Sequence, residues 1–352
     1  MYLSYTPILL LLIIHGISCK ILILGSSGLI GTALTNQLIH QTNNHAYGHI
    51  PNDMGTHHKL IRYNDEDVLH VYNRTHIDLR VPNSLDVFHS YIDNITMVYF
   101  LACEVGGSKF ITDSNNNNII IENNVLIYNN VFTWLKQHNL PYIFTSSYLQ
   151  SQYTAYGTIK RLGELYVNND RNGRIVRLYN IYGNEQYSTL KSHVVTDWIN
   201  TCITTQSVQS LTNGNEIRQF IHVNDIVYAL HIMSHNNIFH QLPKVTELGS
   251  GQWISMKYIA QTIQTIHLHQ YQSDHHVVNG NDIIQNKLCD YTFSDTIAVV
   301  NERIEPDMST LIYSYWLPNI TLADGIQSMY QYYLKLYIDK QQRSSVTTAV
   351  IN

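Results

Sequence analysis

A chain of 352 residues can bury a substantial core as one large or two modest domains, and 44% hydrophobic with 13% charged residues reads as globular rather than disordered. A net charge of -5 without any cluster of Lys and Arg excludes the electrostatic footprint of a nucleic-acid binder. The four cysteines, at 19, 103, 202 and 289, show no CxxC pair, so neither a zinc knuckle nor a disulfide framework is expected. The 19 histidines include the pairs His57-His58 and His275-His276 but no HExxH spacing, and no metal site is expected.

In chain order, residues 1–19 carry a short apolar block, Ile8 to Ile14, after an uncharged start. The block reads as a secretory signal core, too short for a comfortable membrane span and lacking the usual basic n-region. A membrane anchor and an uncleaved extension of a cytosolic enzyme are the alternatives, so the expected location is the secretory lumen if the segment acts as a signal and the cytoplasm otherwise. The sequons at Asn73, Asn94 and Asn319 fit a secretory route, although an Asn-rich chain yields such triplets by chance.

The apolar run Ile21 to Leu24 then ends in glycines at 25, 28 and 31, and Leu29, Ala33, Leu34 and Leu38 recur at helical spacing. Strand, tight turn and helix in this order open a dinucleotide-binding unit. One glycine lets the chain turn, one lets backbone approach a pyrophosphate, and one lets helix pack on strand with its N-terminus facing the anion. Gly25, Gly28, Leu29, Ile30 and Gly31 are therefore the expected cofactor-binding residues of this turn.

Residues 41–57 are polar and read as a surface insertion, and His58 to Tyr63 is the predicted second strand. An acidic residue ending that strand takes the adenosine ribose hydroxyls of NAD, and Asp65 is the nearest candidate. Arg62 is a candidate for a 2′-phosphate, so NAD is expected with NADP left open. Thr75 to Arg80 is the predicted third strand, with Asp78 able to reach the adenine edge. Met97 to Ala102 reads as a buried strand bringing Leu101 and Ala102 to the cofactor. In Cys103-Glu-Val-Gly-Gly107, the glycine pair lets a loop approach it. Ile119 to Lys136 is periodic as a helix, and Pro141 to Ser147 is a strand ending in hydroxyls.

Tyr156 and Lys160 lie four residues apart, which puts phenol and ammonium on one helix face, where the positive charge favours the phenolate. A tyrosine lowered toward neutral pH can move a proton at a sugar hydroxyl, with Ser147 hydrogen-bonding the same oxygen. Arg174 to Leu178 reads as a strand leading into Tyr179-Asn-Ile-Tyr-Gly183. Beyond it the pattern is less regular, with a helix from His193 to Ile203, a strand and turn from Glu216 to Asp225, and a helix from Ser255 to Ile266. The expected architecture is α/β: a Rossmann-type doubly wound parallel sheet over 20–182 and a smaller C-terminal α/β substrate-binding lobe over 183–337, possible interleaving included, then a frayed tail over 338–352.

Taken together, these pieces resemble the extended short-chain dehydrogenase/reductase family, the NAD-dependent epimerase/dehydratase group acting on nucleotide sugars. The matches run in family order: Gly25/Gly28/Gly31, Phe100-Leu-Ala-Cys with Val105-Gly-Gly, Phe144-Thr-Ser-Ser, Tyr156xxxLys160 with Gly163-Glu164. They continue with Arg177-Leu-Tyr-Asn-Ile-Tyr-Gly183, Arg218-Gln-Phe-Ile-His-Val-Asn-Asp225, Leu248-Gly-Ser-Gly251, and Leu317-Pro318 with Ala323-Asp-Gly325, covering about residues 20–335. The resemblance implies a catalytic set of Ser147, Tyr156 and Lys160, and substrate contacts from Val105, Gly106, Asn180 at the diphosphate and Arg218 at a phosphate or ribose. A strand-end ion pair is the other reading of Arg218 and Asp225. It further implies a metal-free cycle in which bound NAD exchanges a hydride with the sugar ring, and a homodimer joined through the helices at 119–136 and 156–168.

Three departures qualify it. Ser147-Tyr148-Leu149 stands where the family's dehydratases carry Thr-Asp-Glu, so the acid pair for elimination is missing. Tyr156 follows Ser147 by only nine positions, so the wall over the sugar is cut back. The reactive cysteine of the family's GDP-sugar epimerase-reductases is replaced by Leu149, and Cys103 reads as a buried apolar filler rather than its substitute. The expected function is an NAD-dependent nucleotide-sugar epimerase or reductase; a decarboxylase or dehydratase, or a non-catalytic NAD(P)-binding relative, are the alternatives.

Overall fold

The computed structural model describes residues 19–40, 58–63, 66–71, 77–275, 289–297, 303 and 305–351. Strand β1 (Cys19–Leu24) sorts its side chains by the two-residue period of a pleated strand. Ile21 and Ile23 enter one buried cluster with Leu34 and Leu38 of helix α1 (Leu29–His40), while Leu22 and Leu24 enter another on the opposite face. A strand buried on both faces belongs in the middle of a layered α/β sheet.

That sheet has seven strands in the order β10-β6-β5-β4-β1-β3-β2. The other six are β2 (His58–Tyr63), β3 (Glu66–Val71), β4 (Met97–Phe100), β5 (Tyr142–Ser147), β6 (Gly173–Leu178) and β10 (Val245–Leu248). All pairings are parallel except β2 with β3. Helices α3 (Asn117–Gln137) and α4 (Ala155–Asn168) cover one face; α1 and α6 (Val223–Ser234) cover the other. Rossmann-like α/β architecture is what the layering requires.

Two sequence expectations at the sheet edge need correction. His58 to Tyr63 is a strand, but it runs antiparallel on the outer edge, pairing Tyr63 with Glu66 and Arg62 with Asp67. Glu66–Val71 takes the place beside β1, with Val71 level with Leu24. Arg62 therefore lies near the amino edge of β3, opposite the end where the glycine turn follows Leu24. Asp65 lies outside the described residues. Of the predicted third strand, the described residues Ile77 to Arg80 form an extended approach and a turn rather than a strand.

The remaining elements form a smaller lobe. A three-stranded sheet, β11-β9-β7, joins Trp253–Ser255 (β11), Ile217–His222 (β9) and Asn180–Tyr182 (β7), and a two-stranded one joins Ser207–Ser210 (β8) with Asp290–Phe293 (β12). Helices α5 (Val194–Thr205), α8 (Met256–His275) and α9 (Leu322–Ile351) pack with these around Trp198, Ile259, Ile263 and Met329. Strand β10 departs from this lobe and closes the large sheet against β6. The tail expected to fray is helical, since α9 continues to Ile351.

Cysteine usage also differs from expectation. Cys202 of α5 and Cys289, just before β12, both buried, are joined as a disulfide across 87 residues with Cα atoms 5.4 Å apart. Spacing along the chain carries no sign of such a pair, because α8 and the two-stranded sheet bring the two residues together. Among the described residues no helix is long and apolar enough to cross a membrane, and no His, Cys, Asp and Glu cluster fit for a metal ion occurs.

Candidate active site

Strand order reverses between β3 and β4 on either side of β1, and a ligand crevice opens at the carboxyl ends of strands at such a point. A cavity of about 610 Å³ lies there. Its three first-turn glycines serve different ends. Gly25 has φ +97°, and a Cβ on it would come 2.7 Å from the Ala102 nitrogen. A Cβ on Gly31 would come 2.1 Å from the Gly25 carbonyl oxygen, so helix and turn could not meet. At Gly28 a Cβ would find nothing nearer than 3.6 Å and would fill only the open crevice. The turn thus leaves open space against the α1 N-terminus, whose first N–H groups have no helical acceptor, and this fits a dinucleotide pyrophosphate. Leu29, Ile30, Leu101, Ala102 and Asp78 line the same cavity.

Asp78 is firmly held there. Both its carboxylate oxygens accept from Arg80, at 2.6–3.1 Å, and Arg80 donates onward to Asn123 (3.1 Å). Asn123 in turn donates to the buried Glu104 (3.1 Å), which pairs with Lys191 Nζ at 2.5 Å. A line of hydrogen bonds therefore runs from Asp78 to the segment preceding α5.

That segment explains the second glycine pair. A Cβ on Gly107 would come 2.1 Å from the Ser192 carbonyl oxygen, and one on Gly106 would meet Phe110 at 2.8 Å and the Lys191 Cα at 3.1 Å. Gly107 N–H donates to the Lys191 carbonyl (2.8 Å). Within the chain the pair's tight contact is with residues 191–193, which cross it and bring Lys191 and His193 into the cavity wall that Val105, Gly106 and Gly107 also line. Residues 191–193 carry no motif, and the glycine pair's need for a close neighbour was their only signal.

The proton-handling groups stand on α4 and at the end of β5. Thr154 caps α4, accepting from Gly157 N–H (3.0 Å). Further along, Gly163 rests against the Phe144 ring, so close that a Cβ would come 2.3 Å from it. The buried Glu164 carboxylate accepts from Ser146 (2.6 Å) and from Arg177 (2.7 and 2.9 Å), and so ties α4 to β5 and β6. Held this way, α4 presents Tyr156 and Lys160 to the cavity beside Ser147. The Ser147 hydroxyl accepts from Leu149 N–H (3.2 Å) and lines the cavity with Tyr156. Lys160, 4% exposed, donates to the Thr145 carbonyl (2.9 Å) and lies 5.6 Å from the centre of the Tyr156 ring.

The electrostatics correct the expected lowering of Tyr156. Burial pushes its phenol above the ordinary value; the Lys160 ammonium and the polar Ser147 hydroxyl act to pull it down, and burial wins. For Lys160, burial favours the neutral amine, but Cys103, Tyr156 and Glu164 outweigh it and hold the ammonium's value up. Cys103 is likewise not a buried filler. It is half-exposed, lines the cavity and sits 4.0 Å from the Tyr128 hydroxyl.

On the substrate side, Asn180 lines the cavity and donates to the Gln219 carbonyl (2.9 Å). Arg218 stands behind this wall, with one guanidinium N–H on the Ile217 carbonyl (3.0 Å). Asp225 forms no pair with it; its carboxylate accepts from the Asn319 and Ile320 N–H groups (3.1 and 3.0 Å).

Residues 21–249 match the family model described as the NAD dependent epimerase/dehydratase family. The chain belongs to this family. NAD is accordingly its cofactor, and the glycine cradle is where the chain's own residues fit it. The sequence matches no curated protein. Among solved structures it is similar to a GDP-D-glycero-L-gluco-heptose synthase from Campylobacter jejuni, crystallised in the presence of NADPH, with TM-score 0.65 and 18% identity over 90% of this chain and 98% of that one. A GDP-6-OMe-4-keto-L-xylo-heptose reductase from C. jejuni gives TM-score 0.66 and 19% identity over 91% and 98%. The UDP-glucose 4-epimerase of Thermus thermophilus, in complex with NAD, gives 0.62 and 14% over 89% and 98%. At these identities the likeness shows a shared fold.

Proposed function

We propose that this member of the family is a nucleotide-sugar epimerase or reductase that transfers a hydride between NAD(P) and a sugar ring carbon, with Tyr156 as acid and base. The observation carrying the reading is that Ser147, Tyr156 and Lys160 line one cavity where β5 and α4 meet the crevice beyond Gly25. Residues 20–182 hold the cofactor and carry Asn180 at their end, and the lobe over 183–337 contributes Arg218 on the substrate side. When bound, NAD supplies the hydride acceptor and donor. Tyr156 takes the sugar hydroxyl proton and later returns it, Ser147 orients the reacting oxygen, and Lys160 keeps positive charge beside the phenolate that forms.

Elimination of water is disfavoured as the main reaction. The carboxylates in the cavity wall, Asp78 and Glu104, are each held in an ion pair, with Arg80 and Lys191, and Tyr148 and Leu149 offer no acid. The test is incubation with UDP-, GDP- and dTDP-sugars, with and without added NADPH, followed by NMR of the products. Tyr156→Phe should lower kcat by about 10²–10⁴-fold while leaving NAD affinity unchanged. Full turnover by this variant would defeat the assignment, and absence of turnover in the unaltered protein on every sugar would favour the non-catalytic alternative.

The reading includes a homodimer. Helices α3 and α4 expose Ile119, Val125, Leu126 and Leu165, 40–55% accessible, on surfaces that face away from the sheet. It also includes passage through an oxidising compartment, supported by the signal-like residues 1–19 and the Cys202–Cys289 bridge.

A further inference from the structure

The short connection from Ser147 to Tyr156 raises the question of what closes the cavity above the sugar, and the answer lies in the residue next to Ser147. Tyr148 opens a one-turn helix over 148–151 and lines the cavity with Tyr179 and Asn180. Its ring stacks flat on that of Tyr179, with centroids 4.9 Å apart and planes 6° apart. Only 7% of it is exposed, yet its polar end does not turn into an apolar core. Tyr156 and Asn180 line the same cavity, and although burial raises the Tyr148 phenol, the Arg218 guanidinium and the Asn180 amide act to lower it. The flat stack and the shared cavity put the Tyr148 ring in the wall that also holds the acid-base group.

We propose that Tyr148 is a substrate-selecting residue: its ring supplies the wall that the short segment leaves out, and its hydroxyl hydrogen-bonds an oxygen of the nucleotide sugar beside Asn180. The inference rests on the reading above as a nucleotide-sugar enzyme. A ring at this position, six heavy atoms larger than serine, narrows the space for substituents on the bound sugar. Compact sugars are therefore preferred over those carrying an acetamido group.

The test measures binding of UDP-glucose, UDP-N-acetylglucosamine, GDP-mannose and dTDP-glucose to the full chain by calorimetry, with NAD affinity as a check on folding. Tyr148→Phe keeps the stack and removes the hydroxyl, so the dissociation constant of the tightest-bound sugar nucleotide should rise about fivefold, with NAD binding unchanged. Tyr148→Ser opens the wall and should improve UDP-N-acetylglucosamine binding relative to UDP-glucose about tenfold or more. If the unaltered protein binds none of the four, the parent reading fails and this one with it. If it binds one and both variants reproduce its affinities and preference, or if Tyr148→Phe loses NAD binding along with sugar binding, Tyr148 is a packing residue and the inference is overturned.

Discussion

Replacing Gly163 by alanine sets two known effects against each other, and the structure decides between them. Gly163 lies inside α4, where Gly→Ala ordinarily gains about 1 kcal/mol of helix propensity. Here the new methyl would come 2.3 and 2.7 Å from Phe144 ring atoms and 3.0 Å from the Tyr128 ring. Neither ring can swing aside. Phe144 is 1% exposed and Tyr128 0%, and both pack against Phe100 and Phe132 with ring centroids 5.4–5.7 Å apart. Overpacking of such a core costs about 1–3 kcal/mol, and a contact this short belongs at the upper end. The net destabilisation expected is about 2 kcal/mol, or a drop in Tm of about 3 °C for a chain of 352 residues. Because α4 must move off β5 to make room, Tyr156 and Lys160 lose their register with Ser147, and kcat should fall by about 10²-fold. Thermal unfolding by circular dichroism and steady-state kinetics on the same preparation check both. A variant as stable and active as the parent would show that α4 is not set by this contact.

Other outcomes follow from the same geometry. Since Tyr156 must lose its proton to act as a base and burial holds it above its ordinary value, kcat should go on climbing with pH past the range in which an exposed phenol ionises; Lys160→Met removes the charge pulling the phenol down, so the climb should move to higher pH, and an unmoved profile would refute the pairing. A bridge spanning 87 residues stabilises by about 2–4 kcal/mol, so reductant should lower the Tm of the parent but leave the already lower Tm of Cys202→Ser unchanged; equal sensitivity of both would rule the bridge out. Leu126→Glu places a charge on the exposed face of α3, and light scattering should report half the parental mass; a parent already monomeric at micromolar concentration would end the dimer proposal.

What the sequence disclosed was local, and what it hid was tertiary. The turn after Leu24 was legible because its demands fall within seven residues: positive φ at Gly25, open space at Gly28 and close packing at Gly31. The four-residue spacing of Tyr156 and Lys160 likewise specified one helix face, and the fold supplied Ser147 beside it. The upward direction of the Tyr156 phenol was not legible, since burial depends on the whole cavity rather than on the neighbour four residues away. Nor was the direction of β2: a strand's own pattern is the same whether it runs parallel or antiparallel, and the pairing of Tyr63 with Glu66 decides it. The Cys202–Cys289 pair and the crossing of residues 191–193 over Gly107 join segments dozens of residues apart, for which no spacing rule exists.

The return of β10 to the large sheet carries a consequence for how the chain can be divided. Val245–Leu248 pairs along the whole of Ile175–Leu178, so a fragment stopped after Tyr182 would expose a flat row of unsatisfied amides and carbonyls on its outermost strand. Such an edge recruits other chains. It would also lose the Ile226, Leu230 and Met233 side chains that shield Ile21 and Ile23 from water. The cofactor half is completed only when residues far beyond it have emerged, so during synthesis it must wait, open and adhesive, for nearly seventy more residues of its own chain.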